Sequence, residues 1–214
     1  THTYENYNTY EPSLTVTDDN GCQAQSEEAI TITAPEASFQ VLSEPSGCAP
    51  QTITFQSTST SIEGIDKYYW YFEGPAGTAT ETGDKPDYTY SNPGVYDVKL
   101  VIETVSGCKD SVTYSALIEI GEAPIITAIT TDRTGCRQDG SLNGITLTPV
   151  LDAASPAADS VVWNFDDGET NAFAGPPFAV EHYYEKIGTM NPDVTVYNKG
   201  CATNFTIAAG FEVY

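Results

Sequence analysis

The residues of this chain that could do chemistry are 30 acidic side chains, five cysteines and two histidines. Paired carboxylates could act as acid and base in glycoside hydrolysis, and a nucleophilic site would need Ser, His and Asp together. The sequence carries no G-x-S-x-G, H-E-x-x-H, P-loop or G-x-G-x-x-G pattern. We therefore expect a protein that is not an enzyme.

The candidate metal ligands lie in one short stretch, at Asp166, Asp167 and Glu169. Hard cations prefer clustered carboxylate oxygens, so Ca²⁺ is the one cofactor that the sequence suggests. The alternative is a hairpin turn made of polar residues, and we favour it over the metal site.

The charge of the chain is strongly negative. Eight basic residues stand against 30 acidic ones, for a net charge of −22. Such a surface repels phosphate backbones and favours solubility, so we expect no nucleic-acid partner. No apolar run approaches the roughly 18–20 residues that span a bilayer, so we also expect no membrane insertion.

Two further kinds of surface site are candidates. Tyr69 and Tyr71 point to the same side of a predicted strand, where they could stack on a sugar or dock a partner unless cross-strand neighbours cover them. Asn204 opens an Asn-x-Thr sequon. Ser111 and Ser160 each stand in an Asp-Ser-Val stretch that resembles the O-glycosylation sites of Bacteroidota.

The chain repeats itself. Residues 2–22 align without a gap with residues 88–108, at an offset of 86, and a third copy at 182–201 loses one residue before its cysteine. His2 and His182 hold the same place in this repeat. That shared place indicates a structural role for the two histidines.

A second repeated block surrounds Trp70 and Trp163 and precedes the repeat described above in two of its three copies. We therefore predict three modules. Residues 1–34 are the C-terminal part of module one, whose remainder lies upstream; residues 37–121 form module two and residues 125–214 form module three. Short joints that contain proline favour an elongated, semi-rigid array.

Within the modules, apolar and polar residues alternate, as at residues 51–56 and 193–196. This period of two, rich in β-branched residues, predicts half-buried strands, and no helical periodicity is found. The fold class is therefore all-β, with tandem immunoglobulin-like antiparallel sandwiches. The predicted core signature consists of Trp70, Phe72, Tyr90, Tyr96, Trp163, Phe165 and Tyr184.

The repeat explains the odd number of cysteines. Cys48 and Cys136 open modules two and three, and Cys108 and Cys201 follow the tyrosine segments of the same modules. We predict the disulfides Cys48–Cys108 and Cys136–Cys201, each worth roughly 4 kcal/mol in the chain-entropy model. The partner of Cys22 should lie upstream. One pair in each module implies an oxidising compartment, at the cell surface or outside the cell.

These residues resemble a known family. The W-N-F-D-D-G stretch from Trp163 to Gly168 resembles the W-x-F-G-D-G signature of PKD domains, and residues 182–184 resemble its H-x-Y segment. Residues 94–98 fit its G-x-Y-x-V pattern. Module two departs at Trp70–Gly74, which lacks the final Asp-Gly and so predicts an altered turn.

The opening of module two, residues 47–55, resembles the cysteine-containing PKD-like repeats of large surface proteins in Bacteroidota. Those proteins include gliding-motility adhesins and cargo of the type IX secretion system. The resemblance implies a non-catalytic stalk, adhesin or extracellular filament component. Its partners would be neighbouring modules of the same chain, other chains of a filament, or surface polysaccharide.

The alternative implied by the resemblance is an accessory or carbohydrate-binding spacer in a secreted hydrolase or protease. PKD modules occur in many unrelated secreted proteins, so the fold alone does not decide between the two functions. Residues 1–34 cannot make a sandwich by themselves. Either the upstream remainder of module one completes them, which we favour, or another chain does so by adding a strand.

Overall fold

The structure is a computed structural model, and it describes residues 1–4, 6–73, 80–133, 144–185, 188–207 and 209–213, without the side chains of 80–82 and 133. These residues form strands and loops, and none of them belongs to a helix that could cross a membrane. Cys136 lies outside the described residues. So does most of the turn predicted to be altered after Trp70.

The strands are short and numerous, as the alternating pattern predicts. Residues before 60 form β1 (Asn8–Tyr10), β2 (Ser13–Thr17), β3 (Gln23–Glu27), β4 (Ile30–Ile32), β5 (Phe39–Val41), β6 (Ser46–Cys48) and β7 (Gln51–Ser57). Residues 65–133 form β8 (Ile65–Tyr71), β9 (Thr80–Thr82), β10 (Asp87–Tyr90), β11 (Gly94–Thr104), β12 (Lys109–Gly121) and β13 (Ile126–Arg133). The rest form β14 (Gly144–Leu151), β15 (Ser160–Asn164), β16 (Thr170–Ala174), β17 (Val180–Tyr183), β18 (Gly188–Met190), β19 (Asp193–Asn198), β20 (Cys201–Thr206) and β21 (Phe211–Val213).

The strands within the predicted bounds of modules two and three pair into two larger sheets each, although residues of the predicted module two belong to both of the compact units described below. Module two has a three-stranded sheet in the order β10-β7-β5 and a five-stranded sheet in the order β6-β12-β11-β8-β9. Module three has the orders β13-β14-β17 and β16-β15-β19-β20, with β18 and β21 paired separately. The described chain is therefore all-β and of the immunoglobulin-like sandwich class.

The chain divides into two compact units. Unit one comprises Thr1–Leu42, Thr54–Pro86 and Asp97–Ser115. Its core contains Trp70, which is fully buried and packs against Phe39, Phe55 and Phe72 with ring centroids 5.1–5.9 Å apart. The face that carries Trp70 and Phe72 is the core face, as the alternation of the strand predicts.

Unit two comprises Ser43–Ile53, Asp87–Tyr96 and Ala116–Tyr214. Its main core lies inside module three, where Trp163 is fully buried among Val161, Phe165 and Leu147. Burial of Trp163 is stabilising by several kcal/mol, since truncation of such a residue typically costs about 3–5. The indole N–H is satisfied, because it donates to the carbonyl of Phe178 at 3.1 Å.

The N-terminal residues of unit one form two strand pairs, β1 with β4 and β2 with β3. They reproduce part of module two at the offset of 86. The hydroxyl of Tyr10 donates to the carbonyl of Asn6 at 2.8 Å, and that of Tyr96 donates to the carbonyl of Asn92 at the same distance. The two copies therefore share local structure as well as sequence.

The two copies differ in burial. Leu14 is 66% exposed on β2, whereas Leu100, which corresponds to it at the offset of 86, is fully buried on β11. Because β2 and β3 are exposed along their whole length, the described part of module one has strands but no enclosed core.

Candidate functional site

The structure joins Cys48 to Cys201 by a disulfide, with their Cα atoms 4.4 Å apart and 153 positions apart in the sequence. Cys48 ends β6 and Cys201 begins β20. The bond therefore links the opening segment of module two to the last hairpin of module three. Both cysteines belong to unit two.

Backbone pairing positions Cys48. Strand β6 runs parallel to the end of β12, so that Cys48 lies opposite Gly121. The N–H of Glu119 donates to the carbonyl of Pro45 at 3.0 Å, and the N–H of Ala49 donates to the carbonyl of Gly121 at 3.1 Å. These bonds hold the cysteine at the end of module two.

A tight turn positions Cys201. Lys199 and Gly200 have φ angles of 47° and 77°, the left-handed pair that a two-residue hairpin turn requires. The turn lies against the segment that follows β12, because the N–H of Glu122 donates to the Oδ1 of Asn198 at 3.0 Å. This turn is one residue shorter than the corresponding turns in the other copies of the repeat, because the third copy lacks one residue before its cysteine.

Both predicted disulfide pairings are wrong. Cys48 lies beside the last residue of β12, whereas Cys108 immediately precedes the first. Cys48 is bonded to Cys201 and Cys108 is a free thiol, so the predicted bond between Cys48 and Cys108 does not form. Because Cys201 is bonded to Cys48, the predicted bond from Cys136 to Cys201 does not form.

Cys108 and Cys22 are exposed free thiols. Each follows a glycine with positive φ, 89° at Gly107 and 83° at Gly21, in a turn of the same hydrogen-bonded form. The repeat therefore preserves the geometry of the turn even where the cysteine has no disulfide partner among the described residues.

A buried cluster surrounds His182 and includes Asp167 and Tyr184, whose pKa values are both shifted. The Nε2 of His182 lies 2.7 Å from the Oδ2 of Asp167, and both side chains are 8% exposed. The imidazole stacks on Phe165, with ring centroids 3.8 Å apart, and meets the edge of Tyr184 at 4.5 Å. These contacts make His182 a packed core residue, in line with the structural role predicted for it.

Two effects oppose each other at Asp167. Burial raises the pKa of its carboxyl group, but the hydrogen bonds from His182 and from the backbone N–H of Glu169 lower it, and the net shift of the pKa is downward. An ionised carboxylate can only accept hydrogen bonds, so Nε2 of His182 must carry the donated proton. Burial, with smaller contributions from the charges of Asp167 and Asp166, raises the pKa of the Tyr184 hydroxyl.

The candidate Ca²⁺ ligands do not converge on a shared point. Asp167 is engaged by His182, and the Oδ2 of Asp166 accepts a hydrogen bond from the N–H of Asn191 at 3.0 Å. Glu169 accepts through its backbone, from the N–H of Phe165, in the turn that follows β15. Within the described ranges, no group of three or more His, Cys, Asp or Glu side chains is arranged to hold a metal ion.

The candidate aromatic contact surface is only half exposed. Tyr69 and Tyr71 are each partly buried, and a lysine side chain lies over each ring. Lys109 stands over Tyr69 at 5.7 Å and forms an ion pair with Glu103 at 3.0 Å. Lysines of neighbouring strands therefore lie over both rings, while each ring remains partly exposed.

The candidate glycosylation residues lie on strands. Ser111 is exposed on β12, and Ser160 is half-buried at the start of β15. Asn204 is exposed on β20, but its Nδ2 donates to Asp193 at 2.8 Å and to Thr195 at 3.0 Å. Modification of Asn204 would require these two hydrogen bonds to break, since the modified atom is their donor.

The central part of the chain matches a known family. Residues 32–120 match the family model of the PKD domain. A PKD domain is thus supported for this stretch. Human polycystin-1 is 26% identical over 149 residues, which are 69% of this chain and 3% of polycystin-1.

Solved structures of sandwich modules are also similar. The PKD1 domain of Vibrio anguillarum Epp is 21% identical, covering 41% of this chain and 96% of that one, with a TM-score of 0.34. The fibronectin(III)-like modules of Clostridium thermocellum CbhA are 17% identical, covering 79% and 92%, with a TM-score of 0.48.

The PKD matches support a non-catalytic β-sandwich module of the extracellular type. PKD domains are typically extracellular, and the Cys48–Cys201 disulfide indicates a non-reducing environment. The cysteine pattern of the sequence also predicts such an environment, although the partners predicted for Cys48 and Cys201 are wrong.

Proposed function

We propose that this chain is a structural and adhesive repeat region, a stalk, adhesin or filament segment of a large secreted surface protein. The observation that supports it best is the bond between Cys48 and Cys201. Its consequence is mechanical. A covalent link between distant positions decides which part of the chain can lengthen when the two ends are pulled.

The disulfide removes most of the chain from the path of an applied force. Tension passing from the N-terminal side reaches Cys48 and crosses the sulfur bridge directly to Cys201. The 153 residues of separation could otherwise extend by roughly 50 nm, at about 3.5 Å per residue. Unfolding of either sandwich under load then leaves the end-to-end length almost unchanged.

Such a region suits a cell-surface protein whose outer end is pulled away from the cell. A repeat whose length is fixed by covalent bonds keeps its distal end at a constant distance even when individual modules open. The net charge of −22 keeps the modules soluble and opposes their collapse onto one another.

Single-molecule pulling tests the proposal. We expect the wild-type chain, held at its two ends without reductant, to show only short extensions. The Cys48→Ser/Cys201→Ser variant should lengthen by roughly 50 nm more on complete unfolding. Cys22→Ser, which removes an exposed free thiol, is the matched control and should behave as wild type. Equal total extension of the wild type and the double variant would contradict the proposed mechanism.

The accessory-module alternative predicts a surface that binds polysaccharide. The candidate surface at Tyr69 and Tyr71 is covered by Lys109 and Lys99, which makes it poorly suited to stacking on a sugar ring. A glycan array with the purified chain separates the two functions. Binding to a defined polysaccharide that Tyr69→Ala abolishes would favour the accessory role over the stalk.

A further inference from the structure

Cys108 occupies in module two the place that Cys201 occupies in module three. Each follows a glycine of positive φ, Gly107 and Gly200, at the start of the second strand of a hairpin. Cys201 is bonded to Cys48, whereas Cys108 is an exposed free thiol. The surroundings of the bonded copy therefore indicate what kind of partner this position takes.

Cys48, the disulfide partner of Cys201, lies on the extended strand β6. A Cβ atom built on Gly200 would lie 2.8 Å from the Oγ of Ser46 and 3.3 Å from the backbone nitrogen of Gly47. The Ser-Gly-Cys segment of β6 therefore packs between Gly200 of the hairpin turn and the end of β12, to which β6 is hydrogen-bonded.

In unit one, the turn before Cys108 and the end of β4 also line one groove. This groove is lined by Cys108, residues 31–33 and Pro35, among others. Ile32, the last residue of β4, corresponds to Ile118 of β12 at the offset of 86. The groove thus lies between a cysteine turn that is one residue longer than that of Cys201 and a strand end that corresponds to the end of β12, with Pro35 in the place of Gly121.

The space beside the glycine is open in this copy. No atom of the described chain lies within 4 Å of a Cβ atom built on Gly107, although the equivalent Gly200 is in tight contact with Ser46. The hydroxyl of Ser106 lies 3.6 Å from the sulfur of Cys108, and Glu63 lines the same groove. The groove is therefore polar at the sulfur and accessible from outside.

We propose that this groove binds an extended segment of the Ser-Gly-Cys type and that Cys108 forms a disulfide with its cysteine. The segment is the opening strand of module one, the module to which residues 1–34 contribute the second half. It would lie parallel to the chain that follows β4, as β6 lies parallel to the end of β12. The inference rests on the repeat-module part of the proposed function.

The bond would form by ordinary oxidation of two thiols. The two cysteines lose two protons and two electrons, which pass to a disulfide donor that is reduced to a dithiol. Repeated along a polypeptide, each bond would join the opening strand of one module to the last hairpin of the next, as Cys48 and Cys201 do here. The result is a continuous series of links between modules in place of one closed loop inside each.

A peptide that copies the chain's own segment 44–51, with sequence EPSGCAPQ, tests the site. The probe carries its cysteine as a mixed disulfide with thionitrobenzoate, so that attack by a protein thiolate releases a coloured product. The protein is the full chain with Cys22→Ser and Cys136→Ser, which retains Cys108. A scrambled peptide with the cysteine at the same position measures the intrinsic reactivity of that thiol.

We expect Cys108 to react roughly tenfold faster with EPSGCAPQ than with the scrambled peptide, because main-chain hydrogen bonds hold the matched segment in place. The matched variant with Cys108→Ser and Cys136→Ser retains Cys22, whose turn has the same form, and should show no preference. Rates within about threefold of each other at Cys108, or an equal preference at Cys22, would overturn the proposal.

Hydrogen exchange supplies a second readout. The EPSGCAPQ adduct should protect the backbone of residues 31–33, whereas the adduct with thionitrobenzoate alone should not, because only the peptide can pair with the strand end. Loss of this difference would also count against the site. The pulling experiment depends only on Cys48 and Cys201, so either proposal can fail while the other stands.

Discussion

Gly121 lies so close to Asn198 that a Cβ atom on the glycine would be 1.9 Å from the carbonyl oxygen of the asparagine. Here the last residue of β12 meets the turn before β20. Both the bond between Cys48 and Cys201 and the hydrogen bond from Glu122 to Asn198 depend on this approach. The absence of a side chain at position 121 therefore allows the end of β12 to pack against this turn.

Substitution of Gly121 tests this contact. We expect Gly121→Ala to lower the free energy of unfolding by about 1–3 kcal/mol, because the opposing atom belongs to the backbone and cannot rotate away. Urea denaturation followed by tryptophan fluorescence gives the value. Gly83→Ala is the control, since no described atom lies within 4 Å of its Cβ position. Equal effects of the two substitutions would mean that the approach tolerates a methyl group.

Protonation of Asp167 should weaken module three in acid. A carboxyl group whose pKa is lowered by folding stabilises the folded state above the pKa of the unfolded chain, near 3.9. That stability is lost as the pH falls through the lower folded pKa. We expect Asp167→Asn to cost about 1–3 kcal/mol at neutral pH and to reduce the loss of stability below pH ~4.

Unfolding curves at several pH values measure this effect. Glu185→Gln is the control because it removes one exposed charge from the same module, close to His182 in the sequence. An Asp167→Asn variant with wild-type stability at neutral pH would show that the hydrogen bond to His182 contributes little.

The sequence predicted most strands and their buried faces, because a strand that packs on a core alternates between buried and exposed residues. The exceptions are β2 and β3, which are exposed throughout, and Tyr96 of the predicted core signature, which is only half-buried. Trp70 and Trp163 could be assigned to the core from the alternation around them, and both are fully buried. Tyr10 and Tyr96 are equivalent at the offset of 86, and both make the same hydrogen bond to a carbonyl four residues earlier. Such a local bond depends only on nearby sequence, so the repeat predicts it. Such features depend on neighbours within a few residues.

The disulfide partners could not be obtained in the same way. The repeat places one cysteine at the opening of each module and one near its end, and that pattern fits bonds within modules as well as bonds between successive modules. The choice depends on which end of β12 lies next to β6, a property of sheet topology. Likewise, Asp167 is a candidate metal ligand by sequence, because nothing in the residues around it predicts its hydrogen bond to His182.

The hydroxyl of Tyr96 should stabilise module two through its bond to the carbonyl of Asn92. We expect Tyr96→Phe to cost about 0.5–1.5 kcal/mol, the usual net value of a hydrogen bond between neutral groups. Tyr114→Phe removes a hydroxyl from a partly exposed tyrosine in the same module and should have a smaller effect. Chemical denaturation of the three proteins under identical conditions makes the comparison.

Peptide mapping without reductant should recover one fragment in which Cys48 is linked to Cys201, and Cys108 should be alkylated as a free thiol. In the chain-entropy model, a bond across 153 positions lowers the entropy of the unfolded chain by an amount worth about 5 kcal/mol, and measured values often fall below this. Cys48→Ser/Cys201→Ser should therefore unfold at a lower denaturant concentration than wild type, while Cys22→Ser should not. A recovered Cys48–Cys108 fragment would contradict the pairing, because those two residues flank opposite ends of β12.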